Sequence, residues 1–116
     1  MIDDYAGVRV AVRALLRRLG FEVTEACNGL EGLAALESGT FDLAVVDWNM
    51  PVLSGIMFVE TLRADPRCDR MKVVMLTSMC DGADVAGIAG VDAYMAKPLK
   101  GDDLRAELMA LGFALH

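Results

Sequence analysis

The chain has 116 residues, of which 55% are hydrophobic and 24% charged, so a single globular domain is expected and a disordered chain is not. Its formal net charge of −6 argues against nucleic acid or a membrane surface as a partner, because both require a basic patch. No apolar run approaches the roughly 18 residues that cross a bilayer. The three cysteines lack metal-ligand spacing and are typical of thiols in a reducing cytosol, so a cytoplasmic location is expected.

Helical and strand patterns alternate along the first part of the chain. Apolar residues at helical spacing predict a first helix over residues 6–19, ended by Gly20, because glycine readily adopts the left-handed conformation that closes many helices. Residues 21–26, FEVTEA, alternate between apolar and polar side chains, and this pattern predicts an edge strand.

A second helix and a buried strand follow. Asn28 and Glu31 have the spacing of a capping box, which predicts the start of a helix that Gly39 ends. Residues 41–47, FDLAVVD, are almost continuously apolar, and such a run is typical of a parallel strand covered on both faces. We therefore expect this strand in the centre of a sheet, with Asp47 at its end.

The second half of the chain continues the alternation, with one weak region. Apolar spacing predicts a third helix that ends near Asp65, a buried strand over residues 71–77 and a short strand over residues 92–96. Residues 80–90 contain three glycines, so a helix there is expected to be short and loosely held. Asp102 is expected to cap the last helix.

This alternation predicts an open, doubly wound α/β sheet, because parallel strands need crossover connections. Such sheets carry their functional residues at the carboxyl ends of the strands. Here those positions hold polar or charged side chains, and we expect them to lie close together: Asp3, Asp4, Asp47, Thr77 and Lys97.

The side chains at these strand ends have complementary chemistry. Carboxylates that converge on one edge repel each other, and a hard divalent cation such as Mg²⁺ relieves that repulsion. A lysine and a hydroxyl beside them can bind an anion that the metal attracts. Metal, lysine and hydroxyl around one carboxylate indicate a site that accepts a phosphoryl group.

One protein family carries the same residues in the same order. The sequence resembles the receiver domain of two-component response regulators, the chemotaxis type in particular, at these positions: Asp3-Asp4, Asp47 in DWNMP, Thr77 in VVMLTS, Tyr94 and Lys97-Pro98. The resemblance implies one receiver domain over residues 1–116. It also implies a flavodoxin-like fold, with a five-stranded parallel sheet in the order 2-1-3-4-5 flanked by five helices.

The resemblance assigns a phosphoacceptor and a metal site. Asp47 would be the phosphoacceptor and also a ligand of Mg²⁺. Asp4 would hold the ion directly, Asp3 would act through water, and the backbone carbonyl of Asn49 would complete the protein's share of the ligands.

The resemblance also assigns residues around the phosphoryl group. Lys97 would neutralise its charge, and the Thr77 hydroxyl would bind one of its oxygens. Tyr94 would turn inward when Thr77 moves, which changes the face built from the fourth helix, the fifth strand and the fifth helix. Pro98 would follow a cis peptide bond.

The function implied is phosphorelay signal transduction in the cytoplasm. A histidine kinase or a histidine phosphotransfer protein would donate the phosphoryl group, and an effector protein would read the switched face. Beyond self-phosphorylation and slow self-dephosphorylation, no enzymatic activity is expected. A homodimer is left open. Arg9, Arg13 and Arg17 form a helical stripe that either meets an acidic helix of the donor or is a solvated face.

Three functions of other classes were weighed against this one. An aspartyl-phosphate phosphatase of the haloacid dehalogenase type needs an aspartate two residues after its nucleophile, and Asn49 occupies that position. A flavin binder is disfavoured because Asp3-Asp4 would repel its phosphate. A pseudo-receiver that acts only as a docking module would usually lack part of the site.

The first strand of the predicted fold is short. Residues 1–3 supply about 10 Å of strand at roughly 3.3 Å per residue, whereas residues 41–47 run more than twice as far. We expect a stub strand and reduced stability, which a trimmed start would explain. Alternatively, another segment occupies the gap, for example one from a second copy by strand exchange.

Overall fold

A computed structural model of the chain describes residues 1–47, 55–77, 90–97 and 99–115. The helices in these ranges are α1 (Ala6–Arg18), α2 (Gly29–Ser38), α3 (Gly55–Arg63) and α4 (Gly101–Ala110), with a short 3₁₀ helix at Pro66–Cys68. The strands are β1 (Leu43–Asp47), β2 (Lys72–Thr77) and β3 (Ala93–Ala96). The helix predicted within residues 80–90 lies outside the described residues. In the described part, no helix is long and apolar enough to cross a membrane.

The three strands form a parallel sheet in the order β1-β2-β3. Val45 lies opposite Val74, and Met75 lies opposite Tyr94. On the other side of β1, Ile2 forms parallel bridges to both Val46 and the segment around residue 26. The order across these five segments is therefore the predicted 2-1-3-4-5. The first two segments in this order contribute only the bridging residues Ala26 and Ile2 and not full strands.

The predicted edge strand over residues 21–26 is wrong, because only Ala26 of this segment is bridged. Toward the centre of the sheet, this segment lies beside residues 1–3, of which only Ile2 is bridged. A strand needs a partner along its length to satisfy its main-chain groups. In residues 22–25, only the Thr24 carbonyl has a main-chain partner in the described part of the chain, the Met1 amino group at 2.9 Å, although the side chains alternate as a strand requires.

The helix ends show why the chain turns where it does. Gly20 follows α1 with φ of 99°, and the N–H of Phe21 donates to the Leu16 carbonyl at 3.1 Å. The same arrangement follows α4, where Gly112 has φ of 102°. The rings of Phe21 and Phe113 then meet edge to face, with centroids 5.4 Å apart. Both glycines supply the left-handed conformation that this helix ending requires.

The amino end of α2 is capped as the sequence predicts. The Asn28 side chain accepts a hydrogen bond from the Glu31 N–H at 2.9 Å, and the Glu31 carboxylate accepts one from the Cys27 N–H at 3.1 Å. The predicted cap at Asp102 is wrong. α4 begins at Gly101, the residue before Asp102, and Lys100 precedes it without a capping side chain. Asp102 instead lies in the first turn, where its charge favours the helix dipole.

The sheet is covered on both faces, which explains its apolar strands. Neighbouring residues of β1 and β2 point to opposite faces and join different clusters. The cluster beside α2 and α3 contains Ile2, Val46, Phe58, Val59, Leu62, Val73 and Met75, and the cluster beside α1 and α4 contains Val12, Leu16, Val45, Val74, Leu76, Leu104 and Leu108. The architecture is the expected doubly wound one.

Gly32 allows α2 to lie close to Ile2, and we expect Gly32→Ala to destabilise the protein. A Cβ at this position would lie 2.5 Å from Ile2 Cδ1 and 2.9 Å from Phe58 Cε2, both of which belong to buried side chains. The expected loss in the free energy of unfolding is about 1–3 kcal/mol, measured by urea denaturation. Gly39→Ala is the matched control, because a Cβ there has no atom within 4 Å. Equal effects of the two variants would contradict this packing.

Candidate functional site

The carboxyl ends of the parallel strands bring the predicted residues to one edge of the sheet. Asp47 and Thr77 are the last residues of β1 and β2, and Lys97 directly follows β3. The Lys97 N–H donates to the Thr77 carbonyl at 2.9 Å, which fixes the end of β3 beside β2. Asp3 follows the bridging residue Ile2 and so comes to the same edge.

Lys97 bridges two carboxylates at this edge. Its Nζ donates to Asp47 Oδ1 at 2.8 Å and lies 3.2 Å from Asp3 Oδ2. Asp3 is 0% exposed and Asp47 is 4% exposed, so both charges are almost withdrawn from water. Buried carboxylates persist as ions only when they are paired, and Lys97 supplies that pairing.

The two carboxylates change the acidity of Lys97. Burial by itself would lower the pKa of its ammonium group. The hydrogen bond and charge of Asp47, with the charge of Asp3, outweigh burial and raise the pKa above the ordinary value of 10.5. Lys97 is therefore a permanent cation at neutral pH.

Three acidic side chains form a group that fits a metal ion. One carboxylate oxygen from each of Asp3, Asp4 and Asp47 lies within 4.8 Å of the others. Asp3 Oδ2 is buried and accepts no hydrogen bond of good geometry within the described part of the chain, despite its ion pair with Lys97. Oxygen donors of this kind suit Mg²⁺, and Asp4 is exposed, which leaves the group open to solvent. This donor set fits a hard divalent cation.

The main chain and a helical side chain hold Asp3 in place. Its N–H donates to the Ala26 carbonyl at 3.1 Å, and its Oδ1 accepts a hydrogen bond from the Tyr5 N–H at 2.9 Å. Arg9 Nη1 donates to the Asp3 carbonyl at 2.7 Å. Sequence reasoning did not find this role of Arg9, because the hydrogen bond goes to a main-chain atom.

The arginine stripe on α1 is only partly solvated. Arg9 Nε lies 3.8 Å from a Glu25 oxygen, and Arg13 Nη1 lies 2.7 Å from the other. Two of the three arginines are thus paired within the chain. Their side chains tie α1 to Glu25, and Arg9 also bonds to the Asp3 carbonyl of the acidic group.

The structure describes only some of the remaining predicted site residues. Thr77 is buried at the end of β2, and Tyr94 is half-buried on β3, packed against the cluster beside α2 and α3. Asn49 and Pro98 lie outside the described residues, so the predicted carbonyl ligand and the predicted cis peptide stay predictions. The structure therefore brings Asp3, Asp4, Asp47 and Lys97 into one group.

Comparisons with known proteins identify the family of this chain. The family model for the response regulator receiver domain matches residues 1–109. The chain is 39% identical over 111 residues to chemotaxis protein CheY-3 of Vibrio cholerae, covering 93% of this chain and 85% of that protein. It is 38% identical over 111 residues to chemotaxis protein CheY of Pseudomonas aeruginosa, covering 93% of this chain and 90% of that protein.

Solved structures show the same fold. The chemotaxis response regulator CheY4 of Vibrio cholerae is similar with a TM-score of 0.86 and 30% identity, over 95% of this chain and 93% of that one. A CheY-like receiver domain from Methylobacillus flagellatus is similar with a TM-score of 0.85 and 28% identity, over 95% of this chain and 93% of that one. These similarities confirm the expected flavodoxin-like fold. Since the family model matches nearly the whole length, the chain belongs to the response regulator receiver domains, which act in phosphorelay signal transduction.

Proposed function

We propose that Asp47 accepts a phosphoryl group from a phosphohistidine of a partner protein. The observation that supports this most directly is the position of Asp47. It is a nearly buried carboxylate at the end of β1, hydrogen-bonded to Lys97 at 2.8 Å and grouped with Asp3 and Asp4. A carboxylate with a fixed cation and a place for a second cation suits the attack on a phosphorus that carries negative oxygens.

The transfer exchanges one bond to phosphorus for another. A bond forms between an Asp47 carboxylate oxygen and the phosphorus while the P–N bond to the imidazole of the donor breaks, and the electron pair of that bond returns to the imidazole nitrogen. Lys97 holds its proton throughout, because its pKa is raised above 10.5. Its role is to attract and orient the phosphoryl oxygens, not to transfer a proton.

The metal expected at this site is Mg²⁺. Asp4 and Asp47 would bind it directly, Asp3 would act through water, and the Asn49 carbonyl would be the remaining protein ligand. When bound, the ion neutralises charge that builds up on the transferred phosphoryl group. The three carboxylates and Lys97 together carry two negative charges, which one divalent cation balances. This balance supports a divalent ion over a monovalent one.

Thr77 and Tyr94 are proposed to carry the signal away from Asp47. Thr77 ends β2 beside the phosphoacceptor strand, and Tyr94 lies on β3, the next strand, opposite Met75. The Thr77 hydroxyl would bind a phosphoryl oxygen, and the half-buried Tyr94 ring would move into the space that Thr77 leaves. This movement would shift a pre-existing equilibrium of the face that includes β3 and α4, where an effector protein would bind.

The proposed activity is signalling rather than turnover of a substrate. The donor is a histidine kinase or a histidine phosphotransfer protein, and hydrolysis of the aspartyl phosphate resets the switch slowly. The relatives named as chemotaxis proteins support an effector that reads the state of one small domain.

Asp47→Asn should abolish labelling of the protein by acetyl phosphate, because an amide does not attack phosphorus as a carboxylate does. Labelling is measured by intact-protein mass or phosphate-affinity gel, with Mg²⁺ and with EDTA. The wild-type protein should be labelled only with Mg²⁺. Asp42→Asn is the matched control, since Asp42 is exposed at the opposite end of the same strand, and it should be labelled normally. Persistent labelling of Asp47→Asn would refute the assignment of the phosphoacceptor.

Lys97 should make the stability of the protein depend on alkaline pH. Its folded-state pKa is raised, so its contribution is fully present below the unfolded value of 10.5 and is lost as the pH rises through the folded value. Thermal unfolding in EDTA should show Lys97→Gln less stable than wild type at pH 8, by roughly 1.5–3 kcal/mol. The difference should shrink between pH 10 and pH 11.5. A constant difference over this range would contradict the pairing.

Beryllium fluoride with Mg²⁺ should change amide exchange over residues 78–96, because the proposed switch passes through Thr77 and Tyr94. Thr77→Val removes the hydroxyl and should weaken this change while leaving binding of the mimic detectable through the fluorescence of Trp48, the only tryptophan. Thr61→Val is the control, since that hydroxyl bonds to a carbonyl within α3. Unchanged exchange in the wild-type protein would rule out this route for the signal.

A further inference from the structure

Arg9 lies beside the acidic group and is largely withdrawn from water. Its side chain is 19% exposed, whereas that of Arg13 on the same helix is 32% exposed and Arg17 is exposed as a whole. A guanidinium group that loses hydration needs partners within the protein. The partners of Arg9 are the Asp3 carbonyl and the Glu25 carboxylate.

The Asp3 carbonyl belongs to the peptide unit that joins Asp3 to Asp4. A peptide unit is planar, so the direction of its carbonyl bond fixes the plane from which the next residue continues. Arg9 Nη1 donates to this carbonyl oxygen at 2.7 Å. The hydrogen bond therefore restrains the orientation of Asp4 relative to Asp3.

Asp4 depends on its main chain for its position. It is exposed, and its carboxylate has no hydrogen bond or ion pair among the described residues. Asp3, by contrast, is held at three atoms: its N–H donates to the Ala26 carbonyl, its Oδ1 accepts from the Tyr5 N–H, and its carbonyl accepts from Arg9. Only the third of these hydrogen bonds acts on the peptide unit that leads to Asp4.

The place of Arg9 in α1 explains how its side chain reaches this carbonyl. The Arg9 N–H donates to the Tyr5 carbonyl at 3.1 Å and α1 begins at Ala6, so Arg9 lies in the first turn. Helical side chains lean toward the amino end of their helix, and the guanidinium group thus returns to the residues that precede α1. Its fork of N–H donors serves Asp3 with one nitrogen and faces Glu25 with another.

We propose that Arg9 is a positioning residue for the metal site, and that its hydrogen bond to the Asp3 carbonyl sets the affinity of this site for Mg²⁺. The inference rests on the proposed function of the acidic group as a magnesium site. Asp4 would bind the ion directly, and a ligand that is already oriented loses less freedom on binding. Groups that orient metal ligands without touching the metal change its affinity by roughly ten- to a hundredfold.

The charge of Arg9 acts in the opposite direction. A cation beside a metal site repels the metal, so the charge alone would weaken the binding of Mg²⁺. Glu25 lies 3.8 Å from Arg9 Nε and balances part of this charge. The two effects predict opposite results for a variant that removes the hydrogen bond and the charge together.

Arg9→Met is such a variant, because methionine is unbranched, favours helices about as well as arginine and has no donor. The affinity for Mg²⁺, measured by titration of the fluorescence of Trp48, should fall roughly tenfold. Tighter binding would show that the charge of Arg9 dominates, and unchanged binding would show that its hydrogen bond has no effect on the site. Either result would overturn the proposal.

Arg13→Met is the matched control on the same helix. Arg13 pairs with the same Glu25, at 2.7 Å, but contacts no atom of the acidic group in the part of the chain that the structure describes. This variant should lower the Tm in EDTA because it breaks that ion pair, and it should leave the affinity for Mg²⁺ unchanged. An equal loss of affinity in both variants would assign the effect to the pairing with Glu25 and would contradict a role of the Asp3 carbonyl.

The Tyr5 amide reports the position of Asp3 without any metal, since its N–H donates to Asp3 Oδ1 at 2.9 Å. In NMR spectra recorded in EDTA, the amide signals of Asp4 and Tyr5 should shift in Arg9→Met and stay in place in Arg13→Met. Signals that do not move in Arg9→Met would refute the positioning role.

Arg9→Lys keeps the test decisive if Arg9→Met does not fold. Lysine retains the charge but not the planar fork of donors, so the affinity for Mg²⁺ should fall by less than in Arg9→Met. A wild-type affinity in Arg9→Lys would indicate that the charge alone matters and would overturn the proposal. Failure of the wild-type protein to bind Mg²⁺ would overturn the metal site of the proposed function together with this role, whereas binding that the Arg9 variants leave unchanged would overturn this role alone.

Discussion

The ion pairs of Lys97 with Asp47 and Asp3 hold together three segments that are far apart in the sequence. They connect the end of β3 to the end of β1 and to the residue after Ile2, at distances of 2.8 and 3.2 Å. Since both carboxylates are buried, their mutual repulsion at this edge of the sheet is offset by the charge of Lys97. Lys97 and Asp47 stabilise the fold, and they are also the residues that a phosphoryl group would contact. The same atoms therefore contribute to the stability of the protein and to the proposed phosphoryl transfer.

The link between packing and the site also involves Ile2, in the first segment of the sheet. The Ile2 side chain lies so close to Gly32 that a Cβ there would come within 2.5 Å of it. Ile2 also bridges to β1 and to Ala26, and Asp3 follows it directly. A single residue therefore transmits the packing of α2 to a buried carboxylate of the site. In a longer strand, several residues would share this task.

The sequence predicted those parts that local chemistry determines. The apolar runs that end at Asp47 and Thr77 became β1 and β2, and Gly20 and Asn28 mark helix ends, because each needs only its own neighbours. The strand predicted over residues 21–26 failed because pairing depends on a distant partner. The hydrogen bond from Arg9 to the Asp3 carbonyl was also not predicted, because every residue has a main-chain carbonyl and the sequence does not show which one is the acceptor. Family resemblance supplied the roles of the site residues, which spacing alone could not assign.

The edge-to-face contact of Phe21 with Phe113 bears on where the folded unit ends. The family model matches only as far as residue 109, yet Phe113 and Leu115 pack against the cluster beside α1 and α4. A shortened chain that stopped at the limit of family similarity would expose that cluster and leave the turn after α1 without its aromatic neighbour. The tail beyond the last helix thus packs against the core, and the span matched by the family model is shorter than the span that contributes to this packing.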